Sequence, residues 1–177
     1  MLILCHLFFG LCAGMLLCER YARSSLLAAC IIGSILPDII DKPLGYLIFP
    51  EIGDGRLITH ALIGIGIIGI IGVLVLKVPL LTGALCTGVI LHQLLDAMWK
   101  IPANWLYPLF GDFPSYPQEN YFGWGLMREL STPSEWAFAG AMLLLMIYIW
   151  SERRVGTRFR AAVVSGIPAL ILLIAGR

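Results

Sequence analysis

All three histidines of the chain, His6, His60 and His92, sit inside apolar segments, and aspartates lie close to them in sequence or at the same ends of neighbouring segments. Asp38 and Asp41 close the second apolar run, and His92 and Asp96 fall near the end of the fourth, in His92-Gln-Leu-Leu-Asp96. Ionisable groups are costly in a bilayer, so such residues point to function. Imidazole and carboxylate together form the ligand set of zinc, iron or manganese sites. His92 and Asp96, four residues apart, share one helix face and can hold one ion together. Asp38 and Asp41 are three apart, just after Pro37, which removes a backbone N–H and is expected to kink the helix. A site of Asp38, His60, His92 and Asp96 offers two nitrogen and two oxygen donors, which suits zinc, with manganese or iron as alternatives. His6 is a further ligand, available to a second ion bridged by a carboxylate. Thr59 is the expected hydrogen-bond partner behind His60.

The elements that must position these residues follow from composition. Of 177 residues, 59% are hydrophobic and 13% charged, with a mean hydropathy of +0.90. A water-soluble domain carries about 25% charged residues, so the chain reads as an integral membrane protein. The apolar runs predict an all-α, polytopic transmembrane bundle of about six helices, at 1–18, 24–41, 57–76, 79–99, 134–150 and 161–176. Residues 1–177 form one domain: metal-site helices over 1–99, a connector over 100–133, and scaffold helices over 134–177 that carry no buried charge. The first run lacks a basic start and a cleavage signal, and reads as a retained helix. The five cysteines form no CxxC pair and read as small apolar packing residues. Gly10 and Gly14 in the first helix, and Gly64, Gly66, Gly69 and Gly72 in the third, read as close-packing positions.

Topology gathers the polar residues. One side of the membrane receives seven basic residues against two acidic, and the other five against nine. Counting Lys and Arg only, the first side is the expected cytoplasmic one, which places the site on the extracytoplasmic face of the inner membrane. At 1.5 Å per residue, His6, Asp38, His60 and His92 all lie roughly 5–10 Å below that one surface. Arg56 and Lys42 share it. They could clamp a phosphate or lipid headgroup, or pair with Glu51 or Asp54. The connector holds Pro102, Pro108, Pro114, Pro117 and Pro133 with eight aromatic residues from Trp105 to Trp124. It reads as an interfacial lid or an aromatic belt.

At these residues the chain resembles the YdjM-like family of membrane-bound metal-dependent hydrolases. The matching pieces are His6-Leu-Phe-Phe-Gly10, Gly33-Ser-Ile-Leu-Pro-Asp38-Ile-Ile-Asp41, Arg56-Leu-Ile-Thr-His60 and His92-Gln-Leu-Leu-Asp96, in order over roughly 1–110. It departs at two points: Gly55 stands where many members have a histidine before Arg56, and the second acid of the Asp pair falls one residue later, at Asp41. A more distant likeness is to the zinc-dependent phospholipase C and single-strand nuclease superfamily. That likeness implies one zinc on Asp38, His60, His92 and Asp96, with Asp96 bridging to a second ion on His6. The further ligands of the soluble enzymes are absent here, so one or two ions are expected.

Three functions fit these residues. The first is a membrane-embedded hydrolase acting on a lipid phosphoester, with Arg56 on the phosphate and Asp41 as a base. The second is a metal-ion or proton transporter, which should carry polar groups through both halves of the membrane. The third is a structural metal site. The partners expected are the lipid bilayer and a lipid or other phosphoester. With no basic stripe bearing interleaved aromatics, a nucleic-acid partner is not expected.

Overall fold

The computed structural model of the chain describes residues 3–115, 127–128 and 131–151. Among these residues the protein is helical, with no strand. Helix α1 spans Ile3–Tyr21 and α2 spans Ser25–Pro43. Ala22, in the left-handed region at φ 52°, ends α1, and the short turn returns α2 antiparallel to it. Helix α2 runs through Pro37 to Pro43 and continues as a wide π-type turn over Leu44–Ile48, further than the sequence suggests.

The third expected helix is broken. Ile58–His60 form a single 3-10 turn, and Ala61 is extended at φ −87° and ψ 155°. Only then does α3 begin, over Leu62–Ile70, followed by a π-type turn over Ile71–Val75. Helix α4 covers Pro79–Leu95, with Pro79 at its first position, where the missing N–H has no helical partner to lose. It stops four residues earlier than expected, because Ala97 adopts φ 52° and ends the helix. A 3-10 turn over Met98–Lys100 and the short α5, Pro102–Trp105, open the connector. The expected fifth helix is α6, Pro133–Ser151. The sixth, 161–176, lies outside the described residues.

Helix α2 is the centre of the bundle, packed most extensively on α4 and then on α1. Its first half buries Leu26, Leu27, Ala28, Ala29 and Cys30. Its middle approaches α4 through two glycines. A methyl group on Gly33 would collide with the Leu85 carbonyl, and one on Gly88 with the Cys30 carbonyl. Small residues at a crossing let two backbones touch. Gly10 and Gly14 pack likewise against Ser34 and Leu27 of α2, and Gly64 and Gly72 are tightly surrounded, whereas Gly66 and Gly69 meet nothing within 4 Å.

Burial runs opposite to that of a water-soluble domain. His6, Ser34, Asp38, Asp41, His60, His92, Gln93 and Asn104 are buried, while Leu16, Ile70, Leu74, Leu143 and Leu144 stand exposed. Among the described residues, α1 is the one helix long and apolar enough to cross a membrane. Helix α2 is as long but carries Asp38, Asp41 and Lys42 in its last turns. Shorter apolar helices span Leu62–Val75, Pro79–Leu95 and Pro133–Tyr148.

Helix α6 is not mere scaffold. Glu135 is buried there and accepts the backbone N–H groups of Leu4 (2.9 Å) and Cys5 (3.4 Å). These belong to the first turn of α1, whose N–H groups lack helical partners and favour a negative charge. The expectation of no buried charge in this helix is therefore corrected.

Candidate metal centre

The α2–α4 crossing places His92 within reach of the α2 backbone, and its Nδ1 lies 2.7 Å from the Ser34 carbonyl oxygen. A carbonyl only accepts, so Nδ1 carries the hydrogen and Nε2 of the neutral ring keeps its lone pair. His60 is fixed the same way from another side. Its Nδ1 lies 2.8 Å from Asp41 Oδ2, a carboxylate oxygen, so Nδ1 carries a hydrogen and Nε2 of the neutral ring has a lone pair. The two Nε2 atoms face each other at 3.1 Å.

Asp41 explains the break before α3. Its carboxylate accepts the backbone N–H of Leu57 (2.9 Å) and His60 (3.0 Å) on Oδ2, and that of Thr59 (3.2 Å) on Oδ1. A buried carboxylate thus gathers the unpaired donors at the start of the Ile58–His60 turn and holds the ring of its last residue. This is the partner role that the sequence suggests for Thr59. The Thr59 hydroxyl instead donates to the Pro37 carbonyl, at 3.3 Å.

Asp38 and Asp96 complete the centre. Asp38 Oδ1 lies 3.6 Å from His60 Nε2 and 3.7 Å from His92 Nε2, and it is buried without a hydrogen-bond partner. Asp96 Oδ2 lies 3.9 and 3.8 Å from the same two nitrogens. One ligand atom each from Asp38, His60, His92 and Asp96 thus falls within 4.8 Å of every other.

This donor set fits a metal ion. Four acceptors converge with no donor among them, and one is an oxygen that nothing else satisfies. Donors held tetrahedrally at about 2.0–2.2 Å from one ion lie roughly 3.3–3.6 Å from each other. The separations given above, 3.1 Å between nitrogens and 3.6–3.9 Å to the oxygens, bracket that spacing.

His6 lies outside the four but against them. Its Nε2 is 3.3 Å from Asp96 Oδ1, and its ring sits 4.1 Å from that of His92. Asp96 therefore turns one oxygen to the four-residue group and the other to His6. All five expected ligands come together from α1, α2, the Ile58–His60 turn and α4 with its cap.

Arg56 and Asp41 are placed differently from each other. Arg56 lines a narrow cleft of about 10 Å³ with Asp38, Lys42, Tyr46, Gly55, His60 and Asp96. Lys42 pairs with Asp38 Oδ2 at 2.5 Å, one turn away, and not with Glu51 or Asp54. Asp41, fully buried behind His60, has both oxygens engaged by the donors named above and does not line that cleft.

Three residues escape the sequence reading. Gln93 donates to the carbonyls of Thr59 (3.1 Å) and Ala61 (3.2 Å) and accepts from the Trp105 indole (2.9 Å). Asn104 donates to Asp54 Oδ2 (3.0 Å) and to the Arg56 carbonyl (2.8 Å). Burial pushes the Asp54 carboxyl up from its ordinary value, against the lowering effects of Arg56 and Asn104. Glu135, described above, is the third. Gln93 carried a signal: it is an amide within the apolar run, beside His92. The start of the connector covers the loop before His60, where Ser115 also donates to the Glu51 carbonyl. Residues 116–126 and 129–130 of the expected lid lie outside the described residues.

Comparison with curated proteins and with solved structures returns no match. One family model does match, that described as YdjM inner membrane protein, over residues 1–174. The match spans every candidate ligand above and the elements that carry them, and the chain belongs to the YdjM inner membrane protein family.

Proposed function

We propose that this chain is a polytopic, membrane-embedded, metal-dependent hydrolase that cleaves a phosphoester of a lipid or lipid-linked substrate at headgroup depth. The carrying observation is one cleft in which Asp38, His60 and Asp96 of the metal centre stand beside Lys42 and Arg56. The acceptors fit a cation, and the two side-chain cations fit an anion brought to it. Phosphate satisfies both, since it ligates metals and pairs with guanidinium and ammonium groups.

Asp38, His60, His92 and Asp96 would hold one ion, zinc by donor type or else manganese or iron. His6 and the second oxygen of Asp96 would take a second. When bound, such an ion supplies Lewis acidity towards a phosphoryl oxygen and acidifies water at neutral pH. Hydrolysis then forms a bond from water oxygen to phosphorus, breaks the ester P–O bond and passes a proton to the leaving oxygen. Arg56 and Lys42 orient the phosphate and offset its charge. Asp41 keeps the His60 ring in the tautomer whose Nε2 faces the centre, which is a positioning role and not that of a base.

The exposed apolar faces of α3, α4 and α6 support a multi-pass arrangement, with lipid as the surrounding solvent. The excess of Lys and Arg at the opposite end supports an extracytoplasmic site. A transport pathway fits less well. The half of α2 and α4 away from the site buries Leu26, Leu27, Ala28, Ala29 and Ala84, and the one polar side chain buried there, Thr82, donates to its own helix.

The test is elemental analysis of the detergent-purified protein and its His92→Ala variant, with phosphate-ester release from lipid substrates in mixed micelles. One or two metal ions per chain, lost with turnover in the variant, is the expected result. Absence of metal, or turnover unaffected by His92→Ala, overturns the reading. Zinc or manganese uptake into proteoliposomes without hydrolysis would replace it with transport.

A further inference from the structure

We infer that Gln93 is a positioning residue for His60, and that Trp105 holds it in place; this rests on the metal centre proposed above. His60 sits on a single 3-10 turn cut off from α3 by the extended residue Ala61. No continuous helix fixes its direction. Asp41 braces the turn from its N-terminal side through the N–H groups of Leu57, Thr59 and His60. Gln93 braces it from the other side, through the carbonyls of Thr59 and Ala61 that flank His60.

Only one orientation of the Gln93 amide serves all its partners. Two carbonyls accept and an indole N–H donates, so the NH2 group must face the turn and Oε1 must face Trp105. The Trp105 bond, at 2.9 Å, therefore decides which way the amide points. Gln93 is 2% exposed, so water does not substitute for a lost partner. The neighbouring residue acts on the other end of the same loop, where Asn104 holds Asp54 and the Arg56 carbonyl. The short helix α5 thus fastens the His60 loop at two points. A shift of the connector reaches both the ligand His60 and the phosphate-binding Arg56.

A buried glutamine can also serve folding alone, and cobalt(II) in the full-length, chelator-stripped protein separates the two roles. Its affinity and visible d–d bands report ligand placement directly. Residues that orient a metal ligand typically contribute about 10- to 100-fold in affinity. Gln93→Ala should lose cobalt affinity in that range with altered bands. Trp105→Phe, which keeps an aromatic ring but removes the indole N–H, should show a smaller loss of the same sign. Leu26→Ala, in the packed half of α2, should lower the melting temperature and leave cobalt binding as it is. Wild-type affinity and spectrum in both Gln93→Ala and Trp105→Phe would overturn the role. If Gln93→Ala does not fold, Trp105→Phe decides alone. A wild-type protein that binds neither cobalt nor zinc would remove the metal centre itself, and the positioning role with it.

Discussion

Asp41→Asn separates a residue that orients a ligand from one that moves a proton. The side chain keeps its shape, so the question is where an NH2 group can go. On Oδ2 the carboxylate accepts three donors: the N–H groups of Leu57 and His60 and the His60 ring, at 2.9, 3.0 and 2.8 Å. The amide must keep its oxygen there and turn NH2 towards the single donor on Oδ1, the Thr59 N–H. Two losses follow. A hydrogen bond to a charged group contributes roughly 1.5–3 kcal/mol against roughly 0.5–1.5 for a neutral pair, a difference of about 1 kcal/mol at His60 Nδ1. The Thr59 N–H, left facing another donor, costs about 1–3 kcal/mol more. The second loss falls mainly on the stability of the loop. The first, with the slackened His60, falls on metal affinity, for which removal of such a partner costs about 10- to 100-fold. That range corresponds to roughly 1.4–2.7 kcal/mol. Competition between the purified protein and chelators of graded affinity measures it. A free base would give the opposite pattern, metal binding intact and turnover alone lost. Wild-type metal affinity in Asp41→Asn would therefore refute the orienting role.

Two further substitutions probe the frame and the mouth of the site. Gly88→Ala drives a methyl group into the Cys30 carbonyl and parts α2 from α4, so His92 leaves the Ser34 carbonyl. Overpacking of this kind costs about 1–3 kcal/mol, and melting temperature and metal content should fall together; loss of stability with full metal content would show that the crossing does not place His92. Gly55→Ala points a methyl group at the Tyr46 ring and the Lys42 stem, within the cleft. It should leave metal content at the wild-type level and reduce phosphoester turnover, and unchanged turnover would argue that substrate enters elsewhere.

The family resemblance and the convergence of Asp38, His60, His92 and Asp96 are legible because each piece is short and chemically distinctive. His92 and Asp96 share a face by helical periodicity alone, and Asp38 and Asp41 sit at an end that their own charge marks. Helix boundaries were less so. A hydropathy run does not show that Asp41 gathers three backbone donors and ends the 57–76 segment as a helix before it starts. Nor does it show that Ala97, an ordinary helix former, takes φ 52° and stops α4 at Leu95. The burial of Glu135 is not legible in sequence because its partners, Leu4 and Cys5, lie some 130 residues away and are backbone groups that carry no signature there.

By itself the sequence determined an all-helical, apolar chain with imidazoles and carboxylates at matching ends of several segments. Periodicity and composition are local, and they are enough for that. Only the tertiary structure decided which atoms face each other. The α2–α4 glycine crossing set the His92 tautomer, the folded-back Asp41 set that of His60, and together they turned two Nε2 lone pairs towards Asp38 and Asp96. Ring orientation depends on a carbonyl 58 positions away and a carboxylate 19 away, and such contacts exist only once the helices have packed.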